Sequence, residues 1–377
     1  MIQIPVEPAI TDYLHRKACS AHIPLSGTFE LTPVCNMNCK MCYVRMSSQQ
    51  QEAIRPLRNA SEWLDLGKRA KDAGMLYLLL TGGEPFLHPQ FREIMTGLHH
   101  MGFVISINSN GTLINEDTVA WLKESPPTRI NITLYGASDE TYGRLCGNPK
   151  GFTQVTKAIR LLREAGIAVK LNCSLTPYNA ADLAEMVAFA KEQKLIIQVS
   201  TYMFPPLRKD PSMIGMNARF TPEEAAYYSA MTEYLLNGSE YFFQKEESEY
   251  PPLPGDSNED CTQVGDGIRC RAGKCTFWIT WEGNMMACGM FPDENRNNVF
   301  ESDFLSCWNR VMKSVEAIRL PAKCAKCGIK DVCKACAAMV ITESGSFDRV
   351  PEYRCQMAYA YPAAREKLKQ QLLNSYE

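Results

Sequence analysis

Six short apolar runs, each followed by a stretch of helical periodicity, recur along the first half of this 377-residue chain. The runs are residues 28–33 (TFELTP), 76–82 (LYLLLTG), 103–108 (FVISIN), 130–136 (INITLYG), 168–175 (AVKLNCSL) and 196–202 (IIQVSTY). Amphipathic stretches lie between them, among them 60–73, 151–165 and 180–193. Gly74, Gly102 and Gly166 stand where C-terminal helix stops would. Strand and helix alternating at roughly 30 residues per unit predict right-handed βαβ units around a parallel sheet. Six units fit between residues 25 and 205, against about 250 residues for a full eight-unit barrel. The expectation is an α/β chain built on a partial (β/α)6, TIM-like barrel.

After residue 205 the pattern changes. A Pro-rich stretch is followed by TPEEAAYYSAMTEYLL, a predicted helix with Thr221 as its N-cap, and then by the turn-rich EYPPLPGDSNED. Ten of the sixteen cysteines lie between 261 and 355. This divides the chain into an N-terminal extension (1–24), the barrel (25–205), a linker with one helix (206–260), a Cys-rich module (261–360) and a C-terminal helix or tail (361–377). Forty basic against 42 acidic residues give a net charge of −2, which points away from nucleic acid and from anionic membrane surfaces. No apolar run reaches the roughly 18 residues of a membrane span, and no signal peptide opens the chain. The expected location is the cytoplasm. In a reducing compartment, sixteen cysteines read as metal ligands rather than disulfides.

The cysteines fall in two patterned places. The first is CNMNCKMCY (35–43), just after the first predicted strand, where parallel barrels build active sites. Cys35, Cys39 and Cys42 are soft ligands for zinc or an iron–sulfur cluster. A closed zinc site wants four ligands, whereas three thiolates on a 4Fe-4S cluster leave one iron for something else. TGGEP (81–85) follows the second strand. Its glycines allow close backbone approach, and Glu84 can accept from an ammonium. NSNGT (108–112) follows the third.

These residues resemble the signature of the radical S-adenosylmethionine (SAM) enzymes. The resemblance implies a 4Fe-4S cluster on Cys35, Cys39 and Cys42 whose open iron binds the amino and carboxylate groups of SAM. It places Tyr43 near the adenine, Gly82, Gly83 and Glu84 on the methionine amino group, and Asn108, Ser109 and Thr133 toward the ribose. Arg144 falls on the carboxylate. The second place reads Cys270, Cys275, Cys288, then Cys324, Cys327, Cys333, Cys336 and Cys355, with Gly283 five positions before Cys288. It resembles the SPASM extension of those enzymes, except that two residues rather than three separate Cys333 from Cys336. The resemblance implies two auxiliary 4Fe-4S clusters, one on Cys270, Cys275, Cys288 and Cys336 and one on Cys324, Cys327, Cys333 and Cys355. Zinc remains the alternative for any C-x2-C pair. Cys19, Cys146, Cys173, Cys261 and Cys307 are left as core or surface thiols, with Cys261 at the module's edge.

The activity so implied is reductive cleavage of SAM to a 5′-deoxyadenosyl radical and oxidative modification of a substrate C–H. Ribosomal peptide maturation, chiefly cross-linking, is the first reading. Anaerobic sulfatase maturation is weaker, because those enzymes place an Asp where this chain has Gly289. Tetrapyrrole side-chain chemistry is the third, and a zinc scaffold is the non-enzyme alternative. The expected partners are a peptide or protein substrate and a reductant such as flavodoxin or ferredoxin. A separate leader-peptide-binding protein joins them if the substrate carries a leader, because 34 residues before Cys35 are too few for such a domain. The residues single out no general base.

Overall fold

The computed structural model describes residues 9–244, 267–292 and 297–374. Its strands are β1 (Ser26–Glu30), β2 (Tyr77–Thr81), β3 (Val104–Ser109), β4 (Arg129–Thr133), β5 (Val169–Ser174), β6 (Ile197–Ser200), β7 (Thr276–Ile279) and β8 (Met285–Met286). They form one sheet in the order β6-β5-β4-β3-β2-β1-β7-β8. The first six are parallel and neighbour one another in chain order, which is the wall of a partial barrel. Leu80, Ile107, Ile130, Ile132 and Leu171 are fully buried, as strands covered on both faces require.

The helices are α1 (Ala9–Ala21), α2 (Ser48–Ile54), α3 (Ala60–Asp72), α4 (Phe91–His100), α5 (Glu116–Glu124), α6 (Asp139–Cys146), α7 (Gly151–Glu164) and α8 (Leu183–Glu192). They continue with α9 (Pro222–Asn237), α10 (Ser239–Gln244), α11 (Phe304–Ala317), α12 (Ala322–Ala325), α13 (Lys330–Cys333), α14 (Ala337–Ser344) and α15 (Glu352–Asn374). α3 starts at a capping box on Asn59 and buries Trp63, Leu66 and Ala70 at helical spacing against the sheet. The predicted Thr221 cap of α9 is present, reciprocated by Glu224. Gly74, Gly102 and Gly166 follow helices with positive φ, the conformation that ends them.

Two features depart from a barrel with a separate tail. The segment after Cys275 forms β7, which pairs parallel to β1 from Ser26↔Thr276 to Phe29↔Ile279. The Cys-rich part therefore continues the barrel sheet and covers the β1 edge, which would otherwise expose unpaired backbone. TFWI is only four residues long and carries no readable period. The other feature is α15, one helix across the expected boundary at 360, with Cys355 in its first turn. It lies along α9, where Tyr361 donates to Glu233 at 2.6 Å and Arg365 pairs with the same carboxylate. Cys261 lies outside the described residues. Among the described residues, no helix is long and apolar enough to cross a membrane.

Candidate functional site

β1 ends at Glu30 and delivers the chain into the first cysteine loop. The C-terminal carbonyls of α6 hold that loop: Asn38 N–H donates to Cys146 O at 2.7 Å and Lys40 N–H to Leu145 O at 3.1 Å. Donors also point at the sulfurs. Met37 N–H reaches Cys35 Sγ at 3.4 Å, Arg45 N–H reaches Cys42 Sγ at 3.3 Å, and Asn110 Nδ2 lies 3.6 Å from Cys35 Sγ. Hydrogen bonds of this kind set the potential of a thiolate-bound cluster. The three thiols feel one another: burial pushes Cys35 up to about 12, and Glu84, Cys39 and Cys42 add to the rise. Cys39 moves down, led by a hydrogen bond from Cys146. Cys146, read from sequence as an ordinary thiol, thus stands against the triplet. Helix packing brings it there across more than a hundred residues, with no local signal.

The Gly-Gly-Glu segment lies directly behind this loop. Gly83 N–H donates to Thr32 O at 2.7 Å and Glu84 N–H to Val34 O at 2.9 Å. A Cβ on Gly82 would meet Thr32 O at 2.4 Å, and one on Gly83 would meet Val34 O at 2.5 Å. The glycines are therefore required where two backbone segments touch. Glu84 is fully buried. Its carboxylate accepts from Ser109 Oγ at 2.9 Å, Asn110 N at 2.7 Å and Phe86 N at 3.2 Å.

Burial raises the Glu84 carboxyl from its ordinary 4.5 to about 7, against the pull of those donors. A carboxyl with a higher pKa in the fold holds its proton better there. Its contribution to stability is therefore full below about 4.5 and is lost as pH climbs to about 7. Unfolding measured across pH 4.5 to 7.5 should show wild type losing on the order of 3 kcal/mol relative to Glu84→Gln. A pH-independent difference would contradict the raised carboxyl.

The remaining expected contacts spread along the strand ends. Asn108 Oδ1 accepts from Asn131 Nδ2 at 2.8 Å, and Ser109 Oγ is shared between Glu84 and Gly111 N. Thr133 ends β4, half-buried. Arg144 is exposed on α6, with Nη2 3.2 Å from Thr141 Oγ1 and 3.4 Å from Tyr178 O. Tyr43 lies under the Arg208 guanidinium, 5.9 Å from ring centre to carbon. Asn110, unassigned by sequence, joins the three segments: its backbone reaches Glu84, and its side chain reaches Cys35 and Asn36.

The C-terminal cysteines gather in two groups. Burial, then Cys336 and Cys270, push Cys288 up to about 12. Cys324 and Cys355 are raised by burial and then by their neighbours Cys333 and Cys327. Cys275 is fully buried, with its sulfur 3.0 Å from that of Cys19. Gly289, after Cys288, packs on an indole: a Cβ there would meet Trp278 at 2.7 Å. An Asp at 289 has no room unless Trp278 moves. Among the described residues, no three His, Cys, Asp or Glu side chains form a site for a single ion.

Residues 29–190 match the family model described as the Radical SAM superfamily, so the chain carries a radical SAM domain, and it is homologous to SPASM-type radical SAM maturases. It is 25% identical to mycofactocin maturase MftC of Mycobacterium ulcerans (strain Agy99), over 91% of each chain. It is 24% identical to the AdoMet-dependent heme synthase of Methanosarcina barkeri (strain Fusaro / DSM 804), over 85% of this chain and 93% of that one. In structure it resembles Streptococcus suis SuiB bound to S-adenosylmethionine, with a TM-score of 0.65 and 20% identity, covering 90% of this chain and 80% of that chain.

Proposed function

We propose that this chain is a radical SAM oxidoreductase that oxidatively modifies a peptide or protein substrate, as in the cross-linking step of ribosomal peptide maturation. The observation that carries the reading is the three-thiol loop on β1, braced by Gly82–Glu84 on one side and by Asn110 on the other. The donor set suits a 4Fe-4S cluster: three soft sulfurs, with N–H groups aimed at two of them. Tyr43, Gly82, Gly83, Glu84, Asn108, Ser109, Thr133 and Arg144 are the residues proposed to hold SAM. Bound together, cluster and SAM supply a radical able to take hydrogen from an unactivated C–H, with flavodoxin or ferredoxin as reductant.

The chain's own contribution is placement. β-strand ends position the ligands, and Glu84, buried and raised in pKa, gains most from a neighbouring ammonium. The two C-terminal groups are proposed to hold auxiliary 4Fe-4S clusters. One would use Cys324, Cys327, Cys333 and Cys355. The other would use Cys270, Cys275, Cys288 and Cys336. A separate leader-binding protein completes the proposal where the substrate carries a leader.

The likeness to a heme synthase favours tetrapyrrole side-chain chemistry as the second reading. The test uses anaerobically reconstituted protein. Iron and sulfide analysis should give about 12 iron atoms for three four-iron clusters. With SAM and a reductant, short peptides encoded beside the gene should lose two mass units per modification. Zinc without iron would end the reading altogether. A modified tetrapyrrole with peptides untouched would replace it by the second.

A further inference from the structure

The concave wall of the barrel carries two cations that the reading above leaves unused. In β4, Ile132 faces the helices: a Cβ on Gly111 would lie 3.2 Å from Ile132 and 3.7 Å from Val155 of α7. In β5, Cys173 does the same, its sulfur 3.9 Å from that of Met186 on α8. Side chains alternate along a strand, so Arg129 and Asn131 of β4, with Lys170 and Asn172 of β5, face the other way, into the barrel. Asn131 pairs with Lys170, and Asn172 with Gln198 of β6, which keeps them on one face. Arg129 stands two residues before Asn131, so its Cα lies about 8 Å from that of Lys170. This wall is open to solvent. β6 ends the sheet, Gln198 and Ser200 on it are exposed, and Arg129, Asn172 and Ser174 are half-buried.

Neither cation has a counterion. Lys170, 8% exposed, gives one of its three N–H donors to Gln198 Oε1. Among the described residues no carboxylate offsets either charge: burial lowers the Arg129 guanidinium, and burial, then Arg129, lower the Lys170 ammonium. Two like charges side by side, one of them almost out of water, oppose the fold unless an anion joins them. A guanidinium fork beside an ammonium suits a carboxylate. The height of the pair fixes how far that carboxylate lies from the chemistry. Thr133, proposed for SAM, pairs with Asn172 at the strand ends. Lys170 is two residues below that level and Arg129 four, or about 7 and 13 Å at the strand rise. An extended peptide advances at the same rate per residue.

The geometry points to Arg129 and Lys170 as a subsite for a carboxylate of the substrate, in a peptide an Asp or Glu side chain about two to four residues from the residue that is modified. The peptide form rests on the reading above and adds what the barrel wall selects.

The test titrates reconstituted, SAM-loaded full-length protein by calorimetry. The probe is N-acetyl-alanyl-glutamyl-alanine amide, beside its glutamine analogue. The acidic peptide should bind saturably and about tenfold more tightly than the analogue. Arg129→Gln/Lys170→Gln should abolish that preference. Arg129→Lys, which keeps the charge without the fork, should keep part of it. Arg129→Gln alone should melt no lower than wild type, because it removes one of two like charges. A clear fall in its melting temperature would give Arg129 a structural role and overturn the subsite. So would equal binding of the two peptides, or inorganic phosphate binding more tightly than the acidic one. Coproporphyrin and its tetramethyl ester form the last arm. If the porphyrin binds through both cations while its ester and the acidic peptide do not, the carboxylate subsite stands and the peptide reading falls. If neither carboxylate probe binds, the subsite itself is overturned.

Discussion

Gly83→Ala is expected to lower 5′-deoxyadenosine release by about 100-fold and to remove about four iron atoms per chain, those of the cluster on Cys35, Cys39 and Cys42. The added Cβ would lie 2.5 Å from Val34 O and 2.6 Å from Pro33 O. Both are backbone atoms of the segment that carries Cys35, so no flexible side chain can yield. The segment must shift, and the hydrogen bond from Glu84 N to Val34 O, 2.9 Å long, shifts with it. Displacing a catalytic group by about an ångström costs on the order of 100-fold in rate. Gly143→Ala is the control. Its Cβ would rest in ordinary contact with Pro149, 3.6 Å away, and both readouts should stay at wild-type values. Full iron content and normal release from Gly83→Ala would show that the contact between the two segments does not position the thiols.

Arg219→Met should cost about 3–5 kcal/mol of stability in chemical denaturation, the range for a buried ion pair that loses one partner. Arg219 and Glu343 have side chains 9% and 4% exposed. Arg219 Nη2 reaches Glu343 Oε2 at 3.1 Å, Tyr202 donates to Glu343 at 2.6 Å, and the guanidinium stacks 3.6 Å from the centre of the Tyr353 ring. One pair thereby joins the segment after β6, the linker, α14 and α15. Removing Arg219 leaves a carboxylate buried without its cation. Removing both charges in Arg219→Met/Glu343→Leu should recover most of the loss, because a well-packed apolar pair replaces a buried ionic one at little cost. A loss below about 1 kcal/mol in the single variant would mean that Glu343 finds water or another donor.

The six strands and their helices were legible because each is announced by its own neighbours. Apolar runs of four to eight residues, amphipathic stretches and a glycine stop each lie within one short window. The Cys35, Cys39 and Cys42 loop was legible for the same reason, since its spacing is covalent. The glycines of TGGEP were marked as allowing a close approach, which they do. The partner they approach is Thr32 to Val34, a segment some fifty residues earlier. For Cys275 the spacing pointed to the C-terminal thiols, and the contact of its sulfur with Cys19 on α1 needed the fold to become visible. Asn110 lay inside a segment already singled out, and its link to Cys35 needed only the fold to become visible.

By itself, then, the sequence determined the parallel βα architecture, the two cysteine-rich places and the chemistry their spacing suits. These are short-range properties, carried by hydrophobic period and by ligand spacing. Tertiary structure decided what faces what. It put β7 beside β1 and Cys146 beside Cys39. It also joined Glu30 to Arg208 and Trp278, 178 and 248 residues away along the chain. Such contacts leave no periodic trace, because each depends on how whole strands and helices pack before any two side chains can meet.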